Sequence, residues 1–352
     1  MNAINTEMEV GELLAEQLAR LFSERVTHQA LTRVEQGAFD QVLWGDIEQL
    51  GVVGALTPEL AGGAGLNWTQ CAAIFQTLGE HAAPIPLAEA MLATWALGRA
   101  GIEADTTRLT VSSAIFEIDT NGKLHGADSL LPWAAHAQSV VAIAKAGDDY
   151  RLCLFLIADA EINSLQTIAR LPSSQLIARG VTPQINVPAP NIFGPLGLQP
   201  ALATARATAL AGTLARMLEL TIEYANTRSQ FGKTIGRFQA IQHLIAEFAE
   251  LTAAAQVAAA FACRQFDRGV DASERGAAVA KIRAGQSATR AAMIAHQVFG
   301  AIGFTDEHIL HFYSRRLWQW RSEAGSEHWW AEWLGQQTLA AGGDALWSGI
   351  TG

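Results

Sequence analysis

The residues best suited to chemistry lie in one short stretch, YANTRSQFGKTIGRFQAIQ, residues 224–242. Arg228 stands at the predicted end of a helix, and a guanidinium can bind a phosphate through two parallel hydrogen bonds. Gly232 permits a ligand to approach the backbone closely, because it has no side chain. Phe238 and Gln239 open the next predicted helix, whose N-terminus favours an anion. The stretch therefore predicts a site for a phosphate-bearing ligand.

Other patterns that could bind a ligand are weaker. The glycines of TPELAGGAGLNW, residues 57–68, do not lie between a strand and a helix of a βαβ unit, so they predict a tight loop. His308 and His311 lack further ligands at a suitable spacing, and we expect no metal. The absence of a GxSxG pattern argues against one common type of serine hydrolase.

Tryptophan is concentrated near the C-terminus of the chain. Large aromatic residues in one segment favour a core or a subunit interface, and a lining for a flat ligand or a bulky acyl group is the alternative. The residues are Trp318, Trp320, Trp329, Trp330, Trp333 and Trp347.

The composition of the 352-residue chain favours a helical globular protein. Hydrophobic residues make up 50% and charged residues 16% of the chain, so there is ample apolar surface for a core. The net charge of −10 is not that of a nucleic-acid-binding protein, which needs a basic face. Cys71, Cys153 and Cys263 form no CxxC pattern, and we expect buried free thiols in the cytoplasm. We expect no secretory signal, and no membrane span, because no uninterrupted apolar run reaches roughly 20 residues.

The apolar periodicity predicts three regions that must position the phosphate site. Residues 1–105 show apolar residues at helical spacing and are expected to form an N-terminal helical domain. Residues 106–192 contain short β-favouring runs separated by turn signals such as DTNG and PAPN, which predict a small antiparallel sheet or barrel. Residues 193–352 return to long helical patterns and predict a four-helix bundle. The expected fold is mainly α with an inserted small β domain.

Three groups of motifs, taken together, resemble the acyl-CoA dehydrogenase family. The first is RSQFG, residues 228–232, with the phenylalanine and glutamine that follow it. The second is QVFGAIGF, residues 297–304. The third combines LGVVGALTPELAGGAGL, residues 50–66, with QTLGEHAAPIPL, residues 76–87. The resemblance covers most of the chain and implies the family's order of helices, β domain and four-helix bundle.

The resemblance implies FAD as the cofactor and acyl-CoA as the substrate. Family members remove two hydrogens from the α and β carbons of the thioester and pass electrons to an electron-transfer flavoprotein. They form tetramers built as dimers of dimers, which implies a homo- or hetero-tetramer here. The residues that match the family's cofactor-binding positions are Arg228, Gln230, Phe231, Phe238, Gln239, Gln297, Phe299, Gly300, Ala301 and Ser326.

The catalytic part of the family's pattern is missing from this chain. The usual base is a glutamate immediately before Gly325, where this chain has Ala324. A second known position for the base lies near Leu202, and residues 195–218 contain no Asp or Glu. The usual flavin-covering segment of the β domain is also absent, and LHGADSLLPWAAHA, residues 124–137, stands in its place.

Two hypotheses for the function follow. In the first, the chain is an active FAD-dependent acyl-CoA dehydrogenase with an atypical base, Glu323 or Glu327. In the second, it resembles the base-lacking subunit of a heteromeric acyl-CoA dehydrogenase and shares an FAD site with its partner. A related flavin oxidase or monooxygenase is a lesser third alternative. Without a positioned base, proton abstraction loses a factor on the order of 10² to 10⁴, so the hypotheses predict different activities for the isolated chain.

Overall fold

The computed structural model describes residues 2–104 and 108–347. Its α-helices are α1 Asn2–Arg25, α2 His28–Glu35, α3 Gln41–Gln49, α4 Trp68–Glu80, α5 Leu87–Arg99, α6 Gln199–Thr227, α7 Gln239–Phe266, α8 Val270–Phe299, α9 Leu310–Trp320 and α10 Glu327–Ala341. Its strands are β1 Leu109–Ile118, β2 Leu124–Pro132, β3 Ser139–Ala146, β4 Asp149–Leu156, β5 Glu161–Leu165, β6 Ser173–Val181, β7 Ile185–Pro188, β8 Ser229–Gln230 and β9 Lys233–Thr234. The predicted fold class, helices around an inserted β region, is confirmed. The predicted boundary between residues 105 and 106 lies outside the described residues.

The N-terminal helices are joined to the C-terminal ones by a close helix crossing. Asn67 and Gln70 form a reciprocal capping box that starts α4. A Cβ on Gly79 of α4 would lie 1.8 Å from the carbonyl oxygen of Ala209 on α6. A Cβ on Gly212 of α6 would likewise lie 2.1 Å from a carbonyl oxygen of α4. The two glycines therefore let the backbones of α4 and α6 meet, which couples the N-terminal region to the bundle.

The β region is an open, mixed sheet, which corrects the expected small antiparallel sheet or barrel. Seven strands lie in the order β5-β6-β2-β1-β3-β4-β7. All neighbouring pairs are antiparallel except β1 and β3, which are parallel. Strand β2 pairs with one edge of β1, so β3 can pair with β1 only at its other edge. The chain therefore crosses β1 between β2 and β3, and β3 runs parallel to β1. Among the strands, β2 and β6 lacked the strong apolar alternation on which the sequence prediction depended.

The C-terminal region contains three long helices, α6, α7 and α8, and two shorter ones. The sequence predicted four helices in this region, but two short helices, α9 and α10, follow the three long ones and a turn separates them. Alanine fills much of the core between the long helices, which allows them to pack at short distances. The prediction of a helical bundle is therefore confirmed, but two short helices, α9 and α10, take the place of the fourth long helix.

Helix α7 is unusually apolar for a helix with so much exposed surface. It is 28 residues long, and only 28% of its most apolar 18-residue window is buried. By length and composition alone it could cross a membrane, although polar and charged residues interrupt its apolar run. One such helix is weak evidence for a membrane protein. It does show that α7 presents an apolar face that nothing in the described chain covers.

Candidate functional site

The residues of the predicted phosphate site gather at one end of the helical bundle. Helix α6 ends at Thr227, α7 begins at Gln239 and α8 ends at Phe299, all at this end. The ring of Tyr224 on α6 stacks on Phe299 with centroids 4.3 Å apart. The two matching motifs, far apart in sequence, are therefore neighbours in space. We call this end of the bundle, residues 228–239 with 297–301, the nucleotide end.

A tight hairpin shapes the nucleotide end. Strands β8 and β9 pair through a two-residue turn formed by Phe231 and Gly232. Both turn residues have positive φ angles, 51° and 79°, as a type I′ turn requires. A left-handed conformation is costly for a phenylalanine, and the side chain of Phe231 is 91% exposed. This turn strain and this exposure are consistent with an aromatic face held ready for a ligand.

The side chains around the hairpin fit a dinucleotide such as FAD. Arg228 is exposed and forms no ion pair within the described residues, so its guanidinium is available to a phosphate. The Lys233 ammonium lies 4.3 Å from the centroid of the Phe238 ring. No side chain caps α7, because the residue before it is Phe238, and Gln239 in its first turn is exposed. A cation, an aromatic ring and an uncapped helix N-terminus are groups that can bind a phosphate and a flat ring.

The second motif, residues 297–301, exposes the side-chain amide of Gln297 and part of its backbone to solvent, while its aromatic side chain is buried. Gln297, Gly300 and Ala301 are exposed, and Gly300 has a φ angle of 64° with open space where a Cβ would stand. Phe299 is buried, and its ring packs against Tyr224 and His308. It therefore supports the nucleotide end from inside, and the exposed neighbours are the groups that can touch a ligand.

The loop at the family's catalytic position is held from two sides. Lys281 of α8 is fully buried and its Nζ donates to the carbonyl oxygens of Trp320 at 2.7 Å and Arg321 at 3.0 Å. It also donates to the carbonyl oxygen of Glu323 at 2.7 Å. Burial lowers the pKa of Lys281 to about 7, despite the favourable charge of Glu323. The lysine thus closes the end of α9 and fixes the turn that leads to the catalytic position.

That turn continues through two residues of positive φ. Ala324 and Gly325 have φ angles of 54° and 93°. The carbonyl oxygen of Ala324 accepts a hydrogen bond of 2.9 Å from Trp330 Nε1. Ser326 caps α10, since its Oγ accepts a hydrogen bond of 3.3 Å from the Trp329 amide. The backbone beside the expected flavin is therefore well defined, but it carries a methyl group where the family has a carboxylate.

Glu323, the first candidate for an atypical base, lies inside a buried ion network. Its Oε2 accepts from Arg206 Nε at 2.5 Å, and its Oε1 accepts from Gln319 Nε2 at 3.0 Å. Arg206 also bonds to Glu89 through Nη2. The side chains of Arg206, Glu89 and Glu323 are 6%, 1% and 4% exposed. We call Glu89, Arg206, Glu323 and Lys281 the buried ion network.

The other candidate base is also held by an arginine. Glu327 forms an ion pair with Arg321, whose Nε lies 3.3 Å from Glu327 Oε2. Arg321 is anchored in turn by Thr289, whose Oγ1 accepts from Nη1 at 2.6 Å. The space around the buried ion network is nearly filled, since the cavity lined by Glu89, Arg206 and Trp320 measures about 10 Å³. That is room for about one water molecule and none for an acyl chain.

Sequence reasoning missed Arg206, Glu89 and Lys281. A signal was present, because Arg206 interrupts the alanine-rich, otherwise apolar start of α6, and a lone charge in such a run needs a buried partner. Which partner it finds could not be read from the chain.

Comparison with known proteins identifies the family. The model for the N-terminal domain of acyl-CoA dehydrogenases matches residues 9–110, and the model for their C-terminal domain matches residues 199–327. The chain is 30% identical to acyl-CoA dehydrogenase IpdE2 of Mycobacterium tuberculosis over 88% of this chain and 92% of that protein.

Two solved structures are similar over nearly the whole chain. One is the ChsE4-ChsE5 complex from Mycobacterium tuberculosis, with a TM-score of 0.84 and 21% identity, covering 95% of this chain and 98% of that one. The other is described as the Tcur3481-Tcur3483 steroid ACAD, with a TM-score of 0.83 and 26% identity over the same shares. The family models, the relative and the folds agree with one another. The chain belongs to the acyl-CoA dehydrogenase family, FAD-dependent oxidoreductases that act on the CH–CH bond of acyl-CoA.

Proposed function

We propose that this chain is the base-lacking, cofactor-sharing subunit of a heteromeric acyl-CoA dehydrogenase. One observation carries the proposal: Ala324 occupies the position of the family's base, and both acidic neighbours, Glu323 and Glu327, are bound by arginines. A carboxylate that removes an α-proton must reach the substrate. The oxygens of Glu323 instead face Arg206 and Gln319 in the interior.

The filled interior supports the same proposal. The buried ion network and the rings beside it leave a cavity of only about 10 Å³. Within the described residues, that cavity is too small for an acyl group, which supports a substrate site formed together with a second chain. The similar ChsE4-ChsE5 structure is a complex of two chains, which is the kind of assembly that we propose here.

The nucleotide end is the part that this chain contributes to a shared site. Arg228 and the N-terminus of α7 would bind the FAD phosphates, with Gln239 beside them. Gln230, Phe231 and Phe238 would contact the adenosine part, because they frame the same hairpin. Gln297, Gly300 and Ala301 would line the opposite side, and Ser326 would lie beside the flavin ring.

FAD held by these residues would supply the acceptor for a hydride equivalent from the β carbon of the acyl group. On this proposal the α-proton goes to a carboxylate of the partner chain, and electrons leave to an electron-transfer flavoprotein. The assembly would be a dimer of dimers. The three cysteines are free and buried, which supports a reducing cytoplasm as its location.

The test compares the chain purified alone with the chain purified beside a co-expressed homologous partner. The flavin absorbance of each is recorded before and after an acyl-CoA panel is added. We expect flavin bleaching only in the two-chain complex, and we expect that bleaching to survive Glu323→Gln in this chain. Glu327→Gln tests the other candidate base, and we expect bleaching in the complex to survive it as well. If the chain alone bleaches with an acyl-CoA and Glu323→Gln abolishes the bleaching while FAD stays bound, the chain is a self-sufficient dehydrogenase and the proposal fails.

A further inference from the structure

A groove lies at the opposite end of α7 from the hairpin of the nucleotide end. It has a volume of about 560 Å³, which is within the range of small-molecule sites. It opens where the loop before α4, the end of α5 and the turn between α7 and α8 meet. Helix α7 is 28 residues long, so roughly 40 Å separates its two ends. None of the described residues that line the groove belongs to the nucleotide end or to the loop around Ala324.

Three aromatic rings form the apolar wall of the groove. Trp68 stacks on Phe266 with ring centroids 4.1 Å apart, and the ring of Trp95 meets both of them edge-on. Leu56 and Leu66 line the groove beside them. A wall of this kind favours a ligand with a flat, apolar body, because aromatic rings pack well against one another.

Two arginines line the same groove without an anionic partner. Arg99, in the last turn of α5, and Arg268, in the turn after α7, are both exposed. Within the described residues neither forms an ion pair or a side-chain hydrogen bond. The carboxylate of Asp267 is already bound at the start of α4, where Oδ1 accepts from the Trp68 amide at 3.0 Å and Oδ2 accepts from the Thr69 hydroxyl at 2.7 Å. The groove therefore offers two guanidinium groups to an anion.

The indole N–H of Trp68 is a further donor in the wall of the groove. Trp68 is 3% exposed, and its Nε1 has no hydrogen-bond partner among the described residues. Buried indole groups normally find an acceptor. In this chain Trp44 donates to Glu48, and Trp330 donates to the carbonyl oxygen of Ala324. The N–H of Trp68 is therefore available to an acceptor beside two cations.

We propose that this groove binds an aryl carboxylate, a small organic anion with one carboxylate on a flat aromatic ring. The carboxylate pairs with Arg99 and Arg268, and the ring lies against the aromatic wall. An inorganic anion would leave the apolar wall in contact with water, and a neutral ring would leave both arginines unpaired. The side chain of Glu59 lies beside Gly65 of the groove, and its charge disfavours a ligand with several negative charges, such as a nucleotide.

The site does not depend on the proposed function, because its residues neither contact FAD in that proposal nor stand at the position of the base. It does join two parts of the fold. Trp68 and Arg99 belong to the N-terminal helices, whereas Phe266 and Arg268 belong to the bundle. An occupant that contacts both parts stabilises the folded chain in proportion to its occupancy.

The test titrates the full chain, in whatever complex it purifies, with naphthoate, with its neutral analogue naphthamide and with inorganic phosphate. Isothermal titration calorimetry should show one naphthoate site per copy of this chain with a Kd below about 1 mM. Naphthamide and phosphate should each bind at least about tenfold more weakly. Nuclear magnetic resonance of isotope-labelled tryptophan locates the site. The indole N–H signal of Trp68, assigned by its absence in Trp68→Phe, should shift with the same Kd as the calorimetric one.

Arg99→Gln and Arg268→Gln should each weaken naphthoate binding at least about threefold, and the variant with both substitutions should bind naphthoate no better than naphthamide. Arg20→Gln is the matched control, because Arg20 is exposed on α1 and has no ion pair within the described residues. Circular dichroism checks that each variant is folded. The proposal fails if naphthoate does not bind, or if its affinity is unchanged in both arginine variants. It also fails if naphthamide or phosphate binds as tightly as naphthoate, since one half of the groove would then contribute nothing.

Discussion

Replacing Arg206 by methionine should destabilise the protein more than the same replacement of the half-buried Arg216 on the same helix. Arg206 bonds to Glu323 and Glu89 at once, and its guanidinium lies 5.7 Å from the centroid of the Trp320 ring. Burial alone would lower the pKa of Arg206, but the two carboxylates more than offset it and raise that pKa above its usual value. The guanidinium is therefore charged at every pH at which the protein folds.

The expected cost follows from what the substitution leaves behind. Removing one partner of a buried ion pair costs roughly 3–5 kcal/mol, because the remaining charge has no partner. Here Glu323 keeps Lys281 close by, whose Nζ lies 2.7 Å from its carbonyl oxygen. Glu89 keeps no such cation and is 1% exposed. We therefore expect Arg206→Met to cost about 3–5 kcal/mol, and the added substitution Glu89→Gln to recover about half of that.

The assay is urea unfolding of the four proteins of the Arg206→Met and Glu89→Gln cycle. Because Glu89→Gln alone also removes a partner of a buried charge, the coupling energy between the two positions should be at least about 2 kcal/mol. Arg216→Met is the matched control, because Arg216 lies on the same helix and pairs with Glu219, whose side chain is 62% exposed. That control should cost less than about 1 kcal/mol. If Arg206→Met costs no more than Arg216→Met, or if the coupling energy is near zero, the buried ion network does not stabilise the fold and the reasoning is wrong.

Three further predictions concern the loop, the histidines and the cofactor. Lys281→Met leaves three backbone carbonyls without the donor that Lys281 supplies, and it should lower the free energy of unfolding by about 1–3 kcal/mol. Urea unfolding measures this as a lower midpoint, and an unchanged midpoint would contradict the role assigned to the lysine. Burial lowers the pKa of His311 to about 4, and the charge of Arg315 lowers it further. Between pH 6.5 and about 4, the unfolded chain therefore binds a proton that the folded chain does not, and the free energy of unfolding decreases as the pH falls. His311→Gln should flatten that loss, by at most about 1.4 kcal/mol per pH unit, and an identical pH profile in both proteins would refute the assignment. Arg228→Ala should weaken FAD binding about tenfold or more in a flavin titration. The affinity of Arg228→Lys for FAD should lie between those of Arg228→Ala and the wild type, because lysine cannot form the paired hydrogen bonds. Equal affinity in all three proteins would show that Arg228 does not bind FAD.

The nucleotide end could be predicted from the sequence because its parts are local. Arg228, the turn at Gly232 and the first turn of α7 are consecutive in the chain, so the order of residues alone brings cation, turn and helix N-terminus together. The alanine at position 324 was equally readable, since the type of a residue needs no knowledge of the fold. Helix and sheet regions followed from apolar periodicity, which reflects which face of each element is buried.

The fate of Glu323 was decided only by tertiary structure. The sequence showed an acidic residue beside the catalytic position, and that made it a reasonable candidate for a base. Its partner Arg206 is 117 residues away, and Glu89 is another 117 residues before that. Whether a carboxylate faces a substrate or an arginine depends on how α5, α6 and the turn after α9 meet. The sequence by itself placed Arg228, a tight turn and a helix start in one stretch, and Ala324 where the resemblance implies a base. The packing of distant helices decided which partners Glu323 and Glu89 meet, because a buried charge is governed by its nearest partner in space.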